Sequence, residues 1–253
     1  PIAGLHKNVS VFDFKSLYPS IIRTFFIDPY SKIKFDTNTV KTPKGYEFSS
    51  TESLLPEIIK RLLEQRENAK SSNDKPLSQA IKILMNSFYG VMGSSRCRFY
   101  HSDLPSAITT TGHYILETTM KYFESLGHKV IYGDTDSIFI TTQTQLTEPE
   151  LNQLAHKTDL YLTEHLKTNF NVDSKLECEY EKSFTKLYFS MTRSGDGAAK
   201  KKYAGIHNGK LEFKGMEFVR SDWTDLAKSF QQELLLKFFM GEDLEDYIKN
   251  FMK

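Results

Sequence analysis

The run VIYGDTDSIFI, from Val130 to Ile140, constrains the fold more than any other stretch of this 253-residue chain. Two short apolar segments rich in β-branched and aromatic residues flank five turn-forming residues, the pattern of a β-hairpin that reverses at its polar centre. Residues two apart on a strand share a face, so Asp134 and Asp136 would bring two negative charges to one side of the hairpin tip. Three readings answer that repulsion: a solvated tight turn, a calcium loop, or a site for a divalent cation. The calcium loop fails, because its sixth and twelfth positions call for Gly and Glu and here hold Phe139 and Gln145. A hard, oxygen-seeking ion such as Mg²⁺ would need a further acid. Asp13, at the end of the apolar run VSVF, is the candidate, although a lone acid there also reads as an ordinary charged strand end.

The strands and helices around these acids are segregated along the chain and do not strictly alternate. KNVSVFDF has the alternation of a half-buried strand, and SLYPSII follows with Ser16 as helix cap and Pro19 in the first turn. Residues 30–50 are polar, with PKG as a turn, and predict a surface excursion. Two amphipathic helices come next. LLPEIIKRLLEQRENAK carries Leu55, Ile58, Ile59, Leu62 and Leu63 on one stripe, and KPLSQAIKILMNSFYG carries Leu77, Ala80, Ile81, Leu84, Met85 and Phe88. The short link between them predicts an antiparallel pair. A third helix spans 104–126 and stops at Gly127, and a fourth spans 147–170 with Thr147 as cap and Glu150 three residues on. From Lys175 the chain is strand-like, with a turn at His207-Asn208-Gly209, and SDWTDLAKSFQQELLLKFFM is an amphipathic helix with Trp223, Leu226, Ala227, Phe230, Leu234 and Phe238 on its apolar face. This order favours α+β over a doubly wound sheet.

Composition removes several function classes. With 33 basic and 32 acidic residues the net charge is +1, so a polyanionic partner must be met by local patches. No apolar run reaches the length of a membrane span and PIAGLHKNVS is no secretory signal, which predicts no membrane partner and a cytoplasmic location. Cys97 and Cys178 lie in no CxxC and predict two reduced thiols.

DFKSLYPSII, KILMNSFYG and YGDTDS, in that order and followed by KKKY, resemble motifs A, B and C and the basic KKxY element of the family B DNA polymerases. The wider pattern, NDKPLSQA, CRFY and FKGMEFVRSDW, resembles the bacterial DNA polymerase II branch of that family. The likeness runs from about Val9 onward and is weakest across residues 30–50 and 141–174. It implies an antiparallel palm sheet carrying the carboxylates, an inserted antiparallel pair of fingers helices and the start of a helical thumb. The corresponding divisions are palm 1–50, fingers 51–98, palm 99–213 and a truncated thumb 214–253. The activity implied is template-directed transfer of a nucleotide from a dNTP to a primer 3′-hydroxyl, in DNA replication or repair.

Residue by residue, the resemblance assigns Asp13, Asp134 and Asp136 to two Mg²⁺ ions, with Mn²⁺ as an alternative, and the main-chain carbonyl of Phe14 as a further ligand. Two divalent ions about 4 Å apart suit an in-line phosphoryl displacement, since each can neutralise one of the two oxygens that carry charge. Ser16, Leu17 and Tyr18 offer helix N-terminal N–H groups to phosphates, and Tyr18 resembles the aromatic that excludes a 2′-hydroxyl. Arg66, Lys70 and Lys82 resemble the triphosphate cations, Asn86 a nucleotide contact, and Tyr89 with Gly90 the surface beneath the new base pair. Lys82, Asn86 and Tyr89 fall on one helical stripe, which would equally suit a solvated face. Lys200, Lys201, Lys202, Tyr203 and Lys214 are assigned to primer-template DNA, and Glu177 and Glu179 resemble acids near the metal site in some members.

The first residue is Pro, and the last patterned helix stops at FMK with an apolar face still to cover. Both predict a piece of a longer protein; the resemblance implies that this chain lacks the family's proofreading exonuclease domain and that a sliding clamp is a partner available only through the longer protein. The location implied is nucleoid-associated and bacterial-type. A different class of function is a catalytically idle nucleic-acid-binding piece. A third, a nucleotidyl cyclase with carboxylates on a similar hairpin, leaves the KxxxNSxYG helix unexplained.

Overall fold

The computed structural model describes residues 1–33, 38–192, 195, 197–216 and 222–252. The chain divides into two compact units, one formed by residues 1–12, 123–151 and 180–253, the other by 13–122 and 152–179.

The first unit is built on a six-stranded sheet. Its strands are β1 (Gly4–Phe14), β4 (Lys129–Asp134), β5 (Ser137–Thr141), β6 (Cys178–Met191), β7 (Ala198–His207) and β8 (Lys210–Lys214), in the order β4-β5-β1-β6-β7-β8. The pairs β4–β5, β6–β7 and β7–β8 are antiparallel. The segregated strands and helices predicted an α+β fold and the resemblance implied an antiparallel sheet; the chain is α+β with a mostly antiparallel sheet. β1 is a central strand, so Val9, Ser10, Val11 and Phe12 are all buried instead of alternating as KNVSVFDF suggested. Ser10 is accommodated by a 3.0 Å hydroxyl contact to Ser183.

One core cluster gathers Val9, Val11, Ile131, Tyr132, Phe139, Phe184, Leu187, Phe189 and Tyr203. Its rings meet at offset or edge-on angles with centroids 5.3–5.6 Å apart for Tyr132–Phe139, Tyr132–Phe189, Phe139–Tyr203 and Phe189–Tyr203. A second cluster joins Ala204 and Met216 to Leu235 and Phe239 of α7 (Asp225–Met240). That contact matches the predicted stripe only in part: Phe238 packs against the cluster and meets Tyr188 at 5.3 Å, but Leu226 is 68% exposed, and Leu235 and Phe239, outside the stripe, are the buried residues of the helix. A further helix, α8 (Leu244–Phe251), lies where the sequence suggested no cover, with Tyr247 stacked 5.7 Å from Phe230 and its hydroxyl donating to Glu233. The turn between β7 and β8 has Asn208 and Gly209 at φ 48° and 74°, as the His-Asn-Gly signal demands.

The second unit is mostly helical. α1 (Leu17–Phe25) buries Leu17, Ile21, Ile22 and Phe25. It is followed by α2 (Pro29–Ile33), the two-stranded ladder of β2 (Thr39–Lys41) and β3 (Glu47–Ser49), α3 (Leu55–Ser71) and α4 (Lys75–Met92). α5 (Asp103–Ser125) and α6 (Glu148–Phe170) each lie mainly here. Residues 34–37 apart, the polar run read as a surface excursion is a small packed hairpin. Phe48 is 1% exposed with the Lys32 ammonium 5.6 Å over its ring, and the PKG turn closes with Gly45 N–H donating to the Thr42 carbonyl.

α3 and α4 pack against each other as predicted; Leu55, Ile59 and Ala69 of α3 and Ile81, Met85 and Met92 of α4 are buried, while Ile58, Leu77 and Leu84 of the predicted stripes are exposed. Leu54 cannot cap α3. The buried Asp28, in the link between α1 and α2, does so, accepting from the backbone N–H of Leu54 and, at 3.1 Å, of Leu55. α6 keeps the predicted cap: Glu150 accepts from both the N–H and hydroxyl of Thr147 at 2.7 Å. Both cysteines are unpaired, Cys178 being buried. No helix among the described residues is long and apolar enough to cross a membrane.

Candidate active site

In the first unit, the β4–β5 hairpin turns in fewer residues than the sequence suggested. Asp134 pairs with Ser137 as the last rung, so Asp136 sits in the turn and not on the strand. Asp136 N–H donates to the Asp134 carbonyl at 2.6 Å, closing a three-residue turn around Thr135 at φ 54°. Positive φ is strained for a β-branched residue. The two carboxylates are therefore brought together by a tight turn and not by the pleat. Burial pushes the Asp136 carboxyl above its usual range, and the charge of Asp134 pushes it further, against the pull of Lys214 and Lys201.

The KKKY segment is tied to this hairpin. Between the pairs Phe189↔Tyr203 and Met191↔Ala198 the β6–β7 register slips, and Lys201 takes φ 58° within the bulge. Its backbone N–H donates to the Tyr132 hydroxyl at 3.0 Å, and its ammonium lies 3.5 Å from Asp134 Oδ1. Gly215 closes the arrangement: a Cβ there would fall 2.1 Å from the Lys201 carbonyl oxygen. Lys200 and Lys214 are exposed and Lys202 is half-buried. Tyr203, read from sequence as part of a basic surface, is instead a core ring, 7% exposed, with burial pushing its hydroxyl up to about 12.

In the second unit, Asp13 is half-buried beside the buried Phe14, and β1 ends there. Ser16 occupies the position before α1 but does not cap it. It sits at φ 49° with no capping bond from its hydroxyl, which instead lies 3.5 Å from the Arg66 guanidinium. The helix start of Leu17 and Tyr18 is thus left without a side-chain cap. Arg66 Nε is buried and has no partner, an orphaned donor of the kind a phosphate oxygen would satisfy. Lys70 pairs with Glu67 at 2.7 Å. Lys82, Asn86 and Gly90 are exposed along α4, and the Tyr89 ring lies 5.0 Å from that of Tyr18.

Several residues at these places have no local sequence signal. Lys15 bonds Glu177 at 2.5 Å and Glu179 at 3.2 Å, and its backbone N–H donates to the Glu177 carbonyl. The two glutamates are therefore held by an ammonium, whose pKa is raised chiefly by the Glu177 bond. Asp159, half-buried on α6, accepts from Cys178 N–H at 2.7 Å, and burial raises its carboxyl to about 6. Tyr132 and Gly215 belong to the same set.

Among the described residues no three His, Cys, Asp or Glu side chains form a group that could hold a metal ion. The hairpin contributes a pair of oxygen-only donors with charge in excess. That pair fits a hard divalent cation, and the donor chemistry of Asp13, in the other unit, is of the same kind.

The sequence matches DNA polymerase family B over residues 1–253. It is 41% identical over 259 residues to DNA polymerase II of Escherichia coli, covering 97% of this chain and 33% of that protein. A DNA polymerase of Archaeoglobus fulgidus is 36% identical over 249 residues, covering 93% of this chain and 29% of the relative. The fold is similar to that of the family B DNA polymerase of Pyrobaculum calidifontis, with a TM-score of 0.64 at 25% identity over 92% of this chain and 30% of that one. The chain thus spans about a third of the length of these relatives. With its motifs A, B and C in order and the match running from end to end, the chain belongs to the family B DNA polymerases.

Proposed function

We propose that this chain carries the catalytic core of a DNA-directed DNA polymerase, one that adds dNMP units to a primer 3′-hydroxyl under the direction of a template. The observation that carries the proposal is the hairpin tip, where a strained turn holds Asp134 against Asp136 on a rigid aromatic base and exposed lysines supply the counter-charge. Asp13, Asp134 and Asp136, with the Phe14 carbonyl, would hold two Mg²⁺ or Mn²⁺ ions. Such ions, when bound, would favour ionisation of the primer hydroxyl and neutralise charge on the departing pyrophosphate.

The remaining work falls to side chains. Arg66, Lys70 and Lys82 bind the triphosphate, with the uncapped start of α1 at Ser16, Leu17 and Tyr18 adding N–H donors. Tyr18, braced by Tyr89, excludes the 2′-hydroxyl, and Asn86, Tyr89 and Gly90 bound the new base pair. Lys200, Lys201, Lys202 and Lys214 track the primer-template backbone, with Tyr203 anchoring their strand from the core. Under this reading the sheet of β1 and β4–β8 is palm, α3 and α4 are fingers, and α7 and α8 begin the thumb; the segment 217–221 between palm and thumb lies outside the described residues. Replication or repair at the nucleoid, with a clamp engaged by the longer protein, is the setting this implies.

Primer extension with Mg²⁺ and dNTPs tests the reading, run beside Asp134→Asn. Synthesis that the substitution abolishes supports it. DNA binding without extension would leave an idle nucleic-acid-binding piece, and pyrophosphate release from a nucleotide alone would favour a cyclase.

A further inference from the structure

We infer that the Lys201 ammonium is a displaceable counter-ion of the hairpin, so that metal binding at Asp134 and DNA binding by the KKKY segment are coupled through this one side chain. The inference rests on the assignment of Asp134 to a metal and of Lys201 to DNA.

Three independent contacts fix the backbone of Lys201: the register slip that puts it at φ 58°, the N–H bond to the buried Tyr132 hydroxyl, and the approach of Gly215 that leaves no room for a Cβ. Positive φ at a lysine costs free energy and persists only where the surroundings enforce it. The side chain, by contrast, is 63% exposed and reaches Asp134 at 3.5 Å. The fold therefore anchors the base of this lysine and leaves its ammonium free to change partners.

Asp134 Oδ1 can face an ammonium or a divalent ion, but two cations on one carboxylate repel each other. When a metal takes Asp134, the displaced ammonium needs another anion, and the phosphates of primer-template DNA offer one. DNA that draws Lys201 away raises the affinity of the hairpin for metal, and by linkage metal raises the affinity for DNA through the same factor.

Mn²⁺ titration followed by the paramagnetic resonance of the free ion tests this, with and without a primer-template duplex ending in a dideoxynucleotide, subtracting the DNA-only signal. Without DNA, Lys201→Gln should bind Mn²⁺ roughly two- to five-fold more tightly than the parent, the range that an ion pair with one solvent-exposed partner supports. Its DNA-dependent gain in Mn²⁺ affinity should shrink by the same factor, and Lys201→Arg should restore the gain. Lys200→Gln should weaken DNA binding and leave the DNA-free Mn²⁺ affinity unchanged. Equal affinities and equal gains in the parent and Lys201→Gln would overturn the inference, as would a Lys200→Gln variant that behaves like Lys201→Gln. A parent protein with no Mn²⁺ binding removable by Asp134→Asn would instead bring down the metal assignment itself.

Discussion

Replacing Gly215 with alanine should be among the costliest single-methyl changes this chain can suffer, and the reason lies in the Lys201 bulge. Two costs separate cleanly. Gly215 sits at φ 63°, and a left-handed conformation costs an alanine about 1–2 kcal/mol. The new Cβ would also stand 2.1 Å from the Lys201 carbonyl oxygen and 3.2 Å from its carbon, both backbone atoms that no rotamer change can move. Relief requires β7 to shift, adding about 1–3 kcal/mol of packing strain and about 1 kcal/mol for the lost Lys201 N–H bond to Tyr132. The total is about 3–6 kcal/mol, or a melting temperature lower by roughly 6–24 °C in a protein of this size. Gly209→Ala is the control, because its φ is 74° but nothing lies within 4 Å of the added methyl. It should lose only about 1–2 kcal/mol. Urea unfolding of the two variants beside the parent measures both, and Mn²⁺ binding by Gly215→Ala should shift in the direction of Lys201→Gln. If Gly215→Ala proves no less stable than Gly209→Ala, the close approach of Gly215 to Lys201 is not a real constraint and the argument for an anchored lysine goes with it.

Tyr18→Ala should raise ribonucleotide incorporation relative to dNTP use in a primer-extension competition, since it removes the ring that Tyr89 braces 5.0 Å away; unchanged discrimination would count against its assigned place. Arg66→Ala should raise KM for dNTP by about 10-fold or more, the equivalent of one charge-assisted hydrogen bond, with a smaller change in DNA affinity measured by anisotropy. Asp159→Asn should stabilise the protein at pH 7.5 and be neutral near pH 4. Burial, with the Glu177 charge added and the Cys178 N–H, His156 and Lys15 opposing, raises the folded carboxyl to about 6, so the protonated form is favoured by folding and stability falls as pH rises from about 4 to about 6. The full gap corresponds to about 3 kcal/mol, which screening at a half-buried site reduces to about 1–2 kcal/mol, read as the difference in urea midpoints at the two pH values.

What could be read from the sequence follows a physical boundary between local and distant determinants. The hairpin of Asp134 and Asp136, the Thr147–Glu150 cap and the Asn208-Gly209 turn were legible because each is specified within a few residues. Residues 30–50 were misread because strands of three residues are too short to show a period, and only Val40, Phe48 and a few polar neighbours turn inward. The apolar stripes of α3 and α4 correctly announced a helix pair but not which of their residues are covered: hydrophobicity marks the side of a helix that can be buried, and the tertiary packing then buries Leu55, Ile59, Ile81 and Met85 while Leu77 and Leu84 stay exposed.

The same boundary divides the candidate site. Its acids are legible because a repulsive pair must be built by its own turn, whereas their counter-charges come from elsewhere in the chain. Lys15 reaches Glu177 across 162 residues, the Lys201 bulge reaches Tyr132 across 69, and Asp28 caps α3 from 26 residues away. Tyr203 shows the cost of reading such a partner from composition alone: in KKKY it looks like an aromatic beside cations on a surface, but the strand alternates, and a residue two places from Lys201 across a bulge is delivered to the core. That slip, in which β7 runs from Ala198 to Tyr203 while β6 runs only from Met191 to Phe189, is what separates a ring that anchors the strand from a lysine that faces Asp134, and it predicts that deleting one residue of the bulge would turn strand residues to the opposite face, burying a charge or exposing the ring, with loss of folding instead of a selective loss of DNA affinity.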